Sequence, residues 1–324
     1  MLSFYNETEQ TCIRENLQTV LAHITGRENG TVWMVLETVR DKETNSFLVM
    51  HEVERNRLFR DDDEELREAG ASALCIDEIP EASEWIAAHW GESRFSFFTT
   101  RHDKEDVVEH MSSLCYLAGG EKIYLFRYYD PVTFACWAEG LKESGRVYEA
   151  LGIFDEIYVE TPLPHILKRY TIHDNGYTQS TIDLQNTLKG FDSATPKEGP
   201  PQKPLHGCWK MEEAEYDSLS PVSLNAFKIK LCKMLLDTHG LPDGHTLGEV
   251  YGRIDTEIER AVKYGMERKD TLAYFINICF EYPLIWSRCN HEIEEILQKS
   301  DIDETERLEM ILKKVSKSDT RAAI

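Results

Sequence analysis

Paired cysteines, phosphate-binding glycine loops, an excess of basic charge and long apolar runs are all missing from this chain, and each absence removes a class of function. No window approaches the roughly 18 consecutive apolar residues of a membrane-crossing helix. The opening MLSFYNETEQ carries two glutamates where a secretory signal has a basic start and an apolar run, so a cytoplasmic protein without membrane insertion is expected. The eight cysteines (Cys12, Cys75, Cys115, Cys136, Cys208, Cys232, Cys279 and Cys289) stand singly, several in apolar windows such as SLCYLA and INICF. That placement predicts reduced core thiols and no disulfide framework. Lys and Arg number 36 against 58 Asp and Glu, a net charge of -22 at pH 7. Such a surface repels phosphate backbones and anionic membranes, which excludes nucleic acid as a partner. It serves solubility, or attraction to a basic partner.

Catalytic motifs are missing as well. The chain holds no G-x-S-x-G elbow, G-x-x-x-x-G-K-[ST] loop, G-x-G-x-x-G turn or H-E-x-x-H helix, so no catalytic residue and no cofactor is assigned. The close pair Cys289 and His291, with Glu292 and Glu294 nearby, lacks a second half-site for zinc, and no metal is expected. His102 and His110 lie about two helical turns apart, with no third ligand implied, and read as surface or half-buried histidines. The run Asp61 to Glu65 has neither the alternating ligands nor the central glycine of a calcium loop and reads as a solvated helix start. A non-enzymatic protein is the expectation.

What is present is ordinary globular material, 41% hydrophobic and 29% charged over 324 residues, enough for two cores. The first two thirds alternate helical and strand patterns: a helix from about Thr8 to Ile24, then strands at Val32–Val39, Ala73–Ile79, Arg94–Thr100 and Phe154–Glu160. Short helical segments intervene, including EASEWIAAHW and an amphipathic stretch from Lys104 to Leu117. Alternation predicts an α/β domain over residues 1–189 with a mixed or mainly parallel sheet. Four prolines in GFDSATPKEGPPQKPLHG mark a linker or loop over 190–215. Residues 216–324 carry helical patterns at about Val222–Thr238, Leu247–Tyr264, Lys269–Phe280, His291–Leu297 and Glu304–Lys317, an all-α domain, with Gly265 placed as a C-cap.

The sharpest local signal is IYLFRYY followed by DPVTFACWAEGL. Apolar residues at both parities predict a strand central in a sheet covered on both faces. Asp130 is placed to cap the next helix, Pro131 suits its first position, and Phe134, Trp137, Ala138 and Leu141 form its buried stripe. Arg127 and Asp130, at the end of that strand, are read as a local pair and a cap in preference to catalytic groups.

At this junction the chain resembles the effector chaperones, or adaptors, of the bacterial type VI secretion system. The likeness rests on Leu125, Phe126, Arg127, Tyr128, Tyr129, Asp130 and Pro131, an L-F-R-[FY]-Y-D-P segment followed by a helix. WMVLETV is similar to the family's first strand, Arg57 to Arg60 to its short link and SALCIDEI to its second strand. The usual proline ahead of that second strand is missing, and Glu37 stands where an Asp is common. Residues 30–160 carry the resemblance, and AVKYGMERKDTLAYFINICFEYP continues it more weakly. The resemblance implies a cytoplasmic, non-enzymatic protein that holds an effector toxin and loads it onto the VgrG spike or its tip protein. A chaperone of that kind needs exposed aromatic or aliphatic anchors. Tyr264, Phe275, Phe280, Tyr282 and Trp286 form a dense aromatic set suited to partner binding, and equally suited to a helical core. A cleft beside the Pro-rich stretch is a further place for a partner. The alternatives are an α/β enzyme without a linear motif and an unrelated protein-interaction module.

Overall fold

The computed structural model describes residues 1–26, 30–37, 42–60, 70–119, 122–186, 202–242, 244–282 and 285–320; the side chains of residues 42, 285–290 and 317–320 lie outside that description. Two compact units divide the chain, Met1–Val222 and Ser223–Ile324. The first is a mixed α/β region and the second is helical.

The first unit opens with α1 (Glu7–Thr25), begun by a capping box in which Asn6 and Glu9 exchange side-chain and backbone hydrogen bonds. There follow β1 (Thr31–Glu37), α2 (Lys42–Met50), β2 (Asn56–Arg57), β3 (Ala71–Cys75), α3 (Ala82–Ala88) and β4 (Ser96–Thr100). Next come α4 (Lys104–Leu114), the hairpin β5 (Tyr116–Gly119) and β6 (Lys122–Leu125), α5 (Pro131–Ser144) and α6 (Val147–Leu151). The strands β7 (Phe154–Glu160), β8 (Ile166–His173) and β9 (Gly176–Asp183) close the sheet, and α7 (Glu213–Ser218) ends the unit.

Seven strands form one sheet in the order β2-β3-β1-β4-β7-β8-β9, and every neighbouring pair is antiparallel. This corrects the expected mixed or mainly parallel sheet. Helices cover both faces, so the strands are apolar at both parities, the pattern that parallel strands also show. Strand direction depends on the end to which each connection returns, and that is invisible to periodicity. The β7-β8-β9 meander also extends the strand region beyond Phe154–Glu160, the last strand expected from the sequence.

Alternation divides the core into two layers. Trp33, Val35, Phe98, Ile157, Val159 and Tyr170 face α4, α5 and α6, while Val32, Met34, Phe97, Tyr158 and Leu167 face α1, α2 and α3. Of the expected linker over 190–215, residues 190–201 lie outside the description, and its later part packs on the first unit. Leu205 N–H donates to His110 Nδ1 at 3.0 Å and its carbonyl accepts from Ser113 Oγ at 3.0 Å. Trp209 then pairs with β5, accepting from Ala118 N–H at 2.9 Å and donating to the Tyr116 carbonyl at 2.8 Å.

The second unit comprises most of α8 (Val222–His239) with α9 (Leu247–Lys263), α10 (Lys269–Glu281), α11 (Ile285–Leu297) and α12 (Glu304–Thr320). Gly265, at φ +74°, ends α9: its N–H donates to the Val262 carbonyl and that of Met266 to the Ala261 carbonyl. Arg307 joins two helix ends, donating from Nη1 to the Tyr264 carbonyl at 2.9 Å and the Leu297 carbonyl at 2.7 Å. Among the described residues no helix is long and apolar enough to cross a membrane.

Candidate functional site

The segment 125–131 does not form the predicted central strand. Its first residue, Leu125, ends β6, which among the described residues pairs only with β5, and the chain leaves the ladder after Phe126 N–H donates to the Cys115 carbonyl at 2.8 Å. The apolar residues that follow are buried by irregular backbone lying beneath a helix. Phe126 meets Trp137 edge-on at 5.2 Å between ring centroids, and Tyr128 meets Phe98 edge-on at 6.1 Å. Burial drives the Tyr128 phenol well above its ordinary pKa, so it stays neutral.

Arg127 and Tyr129 both turn to the end of β1. The guanidinium forms an ion pair with Glu37, and Tyr129 Oη donates to Glu37 Oε1 at 2.9 Å. Burial first, and the Glu37 charge second, raise the Tyr129 pKa, which keeps its hydroxyl a donor. Asp130 caps α5, its Oδ1 accepting from Thr133 N–H at 3.0 Å and Thr133 Oγ1 at 3.1 Å, and Pro131 occupies the first turn. Phe126, Arg127, Tyr128, Tyr129, Asp130 and Pro131 therefore fasten β1 and α5 together. Leu125 is different, with 45% of its surface exposed.

The hairpin before this junction is the largest departure from the sequence reading. Ile123, Tyr124 and Leu125 are consecutive and exposed, at 63%, 51% and 45%. A Cβ on Gly119 would lie 2.6 Å from the Tyr124 ring, so the glycine leaves room for that ring to lie across the ribbon. The sequence held a signal for it, since a Gly-X dipeptide between two apolar runs is a hairpin pattern, and Gly-Glu stands between SLCYLA and IYLF.

The aromatic set of the helical unit divides. Phe275 is wholly buried and offers no surface to a partner. Tyr264 and Phe280 are half-buried, Tyr264 at the α9 C-terminus and Phe280 beneath the Arg253 guanidinium at 4.7 Å from the ring centroid. Tyr282 is half-buried just beyond α10, and the Trp286 side chain lies outside the described residues. Among the described residues the large apolar side chains that this unit exposes are Met234, Val262 and Tyr274, none of them named from the sequence as a partner-binding candidate.

Sequence reasoning also missed the buried acids, three of which lie among the described residues of the first unit. Glu215 accepts from Trp209 Nε1 at 2.8 Å, Arg146 Nη1 at 2.9 Å, Ser144 Oγ at 3.2 Å and Trp137 Nε1 at 3.4 Å. Glu160 accepts the N–H groups of Gly91, Arg94 and Phe95 at 2.7, 2.8 and 3.1 Å, although burial still raises its pKa. Glu156 accepts from Tyr158 Oη at 2.9 Å and pairs with Arg169. Such carboxylates hold elements together, their oxygens already engaged by internal donors.

His110, read as surface or half-buried, is in fact fully buried between α6 and the Leu205 segment, and burial pulls its pKa down to about 4. Seven cysteines are free, and Cys289 lies outside the described side chains. Burial, reinforced by Asp77 and Glu78, pushes the Cys75 thiol up to about 12, which makes it a poor nucleophile. Among the described residues no group of three or more His, Cys, Asp and Glu is gathered to hold a metal.

Residues 32–147 match a family described as a domain of unknown function (DUF4123). The match runs from β1 to the first residue of α6 and so includes the hairpin and the 125–131 junction, but not β7, β8 or β9. No curated protein and no solved structure matches the chain.

Proposed function

We propose that this protein is a non-enzymatic, cytoplasmic adaptor that binds an effector toxin of a type VI secretion system and loads it onto the VgrG spike or its tip protein. The observation that carries this reading is the L-F-R-Y-Y-D-P segment at the hairpin-to-α5 junction, inside the stretch that matches the DUF4123 domain. Apart from the exposed Leu125, the residues that make the resemblance are spent on scaffold, with Arg127 and Tyr129 on Glu37 and Asp130 on Thr133. A shared scaffold that presents a variable partner surface suits an adaptor, and among the described residues large apolar side chains are exposed in α2, in the β5–β6 hairpin, in α7 and in the helical unit.

The test is co-expression of the full-length chain with the polypeptide encoded beside it and with the spike protein of the same gene cluster. The expected result is a stable complex with the toxin, no change in the covalent mass of either partner, and a ternary complex when the spike is added. Failure to capture any neighbouring toxin, or turnover of a substrate by the purified chain alone, defeats the reading.

A further inference from the structure

Strand β6 has one satisfied edge and one open edge. The Phe126 N–H bond to the Cys115 carbonyl sets the parity of the antiparallel ladder, in which Tyr116 opposes Leu125 and Ala118 opposes Ile123. By that parity Lys122 and Tyr124 direct their backbone groups toward β5, and Ile123 and Leu125 direct theirs outward. Trp209 takes the outward groups of β5, at Tyr116 and Ala118, and among the described residues no backbone hydrogen bond takes those of Ile123 and Leu125. The side chains of these two residues share a face with Tyr116 and Ala118 and are exposed at 63% and 45%. The outer strand of the main sheet contrasts with this: β9 exposes Gln179, Ser180 and Thr181, polar residues of the kind that discourage edge pairing. An apolar open edge is instead a template for an added strand.

We propose that the outer edge of β6 docks one extended peptide segment with aliphatic side chains at alternate positions and Lys or Arg between them. The inference deepens the adaptor reading, on which it rests for the source of the segment, a stretch of the cargo. The aliphatic positions continue the Ile123 and Leu125 face. A cation from the other parity lies against the ring of Tyr124, 51% exposed, while Lys122 keeps basic groups from the position beside itself. Charge selects against a second copy as occupant, since that brings together two chains of -22, whereas a basic segment is attracted.

The probe is the acetylated, amidated hexapeptide Val-Lys-Val-Lys-Val-Lys, added to the full-length protein and compared with its Val-Glu counterpart. Hydrogen exchange at the amides of Ile123 and Leu125 should slow roughly tenfold with the basic probe, while that of Tyr124, already in the ladder, stays unchanged. N-methylation of one alternate set of probe amides should abolish binding and N-methylation of the other should not. The double substitution Ile123→Ser and Leu125→Ser should weaken binding about tenfold without shifting the melting temperature, and Leu125→Pro removes an outward N–H as a second check. Equal binding of the Val-Glu probe, indifference to the N-methyl pattern, or protection that misses residues 122–126 overturns the proposal. So does a dimer of the protein alone with those amides already protected, which makes the occupant a second copy. A toxin captured equally by wild type and the double variant removes the edge and leaves the adaptor reading intact. Patterned binding of the probe without capture of any toxin keeps the edge and removes that reading.

Discussion

Asp130 accepts from both the amide and the hydroxyl of Thr133, which makes it a side-chain cap with a measurable share of stability. Asp130→Ala should lower unfolding stability by about 0.5 to 2 kcal/mol in chemical denaturation, and an unchanged stability with lost cargo binding would reassign the residue to the partner surface. His110 supplies a pH dependence. Its Nδ1 accepts from Leu205 N–H and its Nε2–H donates to the Ala150 carbonyl at 2.9 Å, so both bonds need the neutral ring. Burial lowers the folded-state pKa from the ordinary 6.5 to about 4, and the unfolded state therefore takes up a proton that the folded state refuses. The contribution is complete above pH 6.5 and is lost as pH falls toward 4, amounting to about 3 kcal/mol at most. Denaturation of wild type and His110→Gln across that window should show the larger acid loss in wild type, and parallel curves would refute the assignment. The pair of Arg127 with Glu37 is partly exposed, and a double-mutant cycle should give a coupling of about 1 kcal/mol.

Among the elements, α7 shows what a short helix does when its one buried acid is the common acceptor of its neighbours. Glu215 receives Arg146 and two indole N–H groups, and Gly140 of α5 lets α7 approach so closely that a Cβ there would lie 2.7 Å from the Glu215 Cα. Arg146 also stacks on Trp209 at 4.0 Å from the ring centroid. Glu215→Ala leaves Arg146 without its buried partner and should cost about 3 kcal/mol. Red-shifted tryptophan emission and faster proteolysis within 202–218 should accompany that loss, and neither would change if the contact were incidental. The α5 cap and the five helices of the second unit were legible, because Asp-Pro and 3.6-residue spacing are local chemistry. The β5–β6 hairpin was not, because an apolar run reads the same whether a sheet, a helix or a partner covers it. Glu215 was equally silent, since two of its donors, Arg146 and Ser144, lie 69 and 71 residues away in the chain.

At the scale of the whole molecule, the two units do not divide at the prolines. The first extends to Val222 and takes Trp209 and Glu215 into its packing, so a fragment of residues 1–222 should unfold in one cooperative transition. A fragment ending at Lys203 should melt lower and less cooperatively, and equal melts for the two would show that the 204–222 stretch adds nothing.

The sequence by itself determined the helical character of the last third, the Asp130 cap, the single spacing of the cysteines and the acidic net charge, because these follow from spacing and composition. Only the tertiary structure decided that the sheet is antiparallel throughout, that the stretch after the prolines belongs to the first unit, and that Phe126, Tyr128 and Tyr129 are buried while Ile123, Tyr124 and Leu125 face solvent. The physical reason is the same in each case. Hydrophobic patterning records how much surface must be buried, whereas strand direction and covering partner are set by contacts between residues distant in the chain.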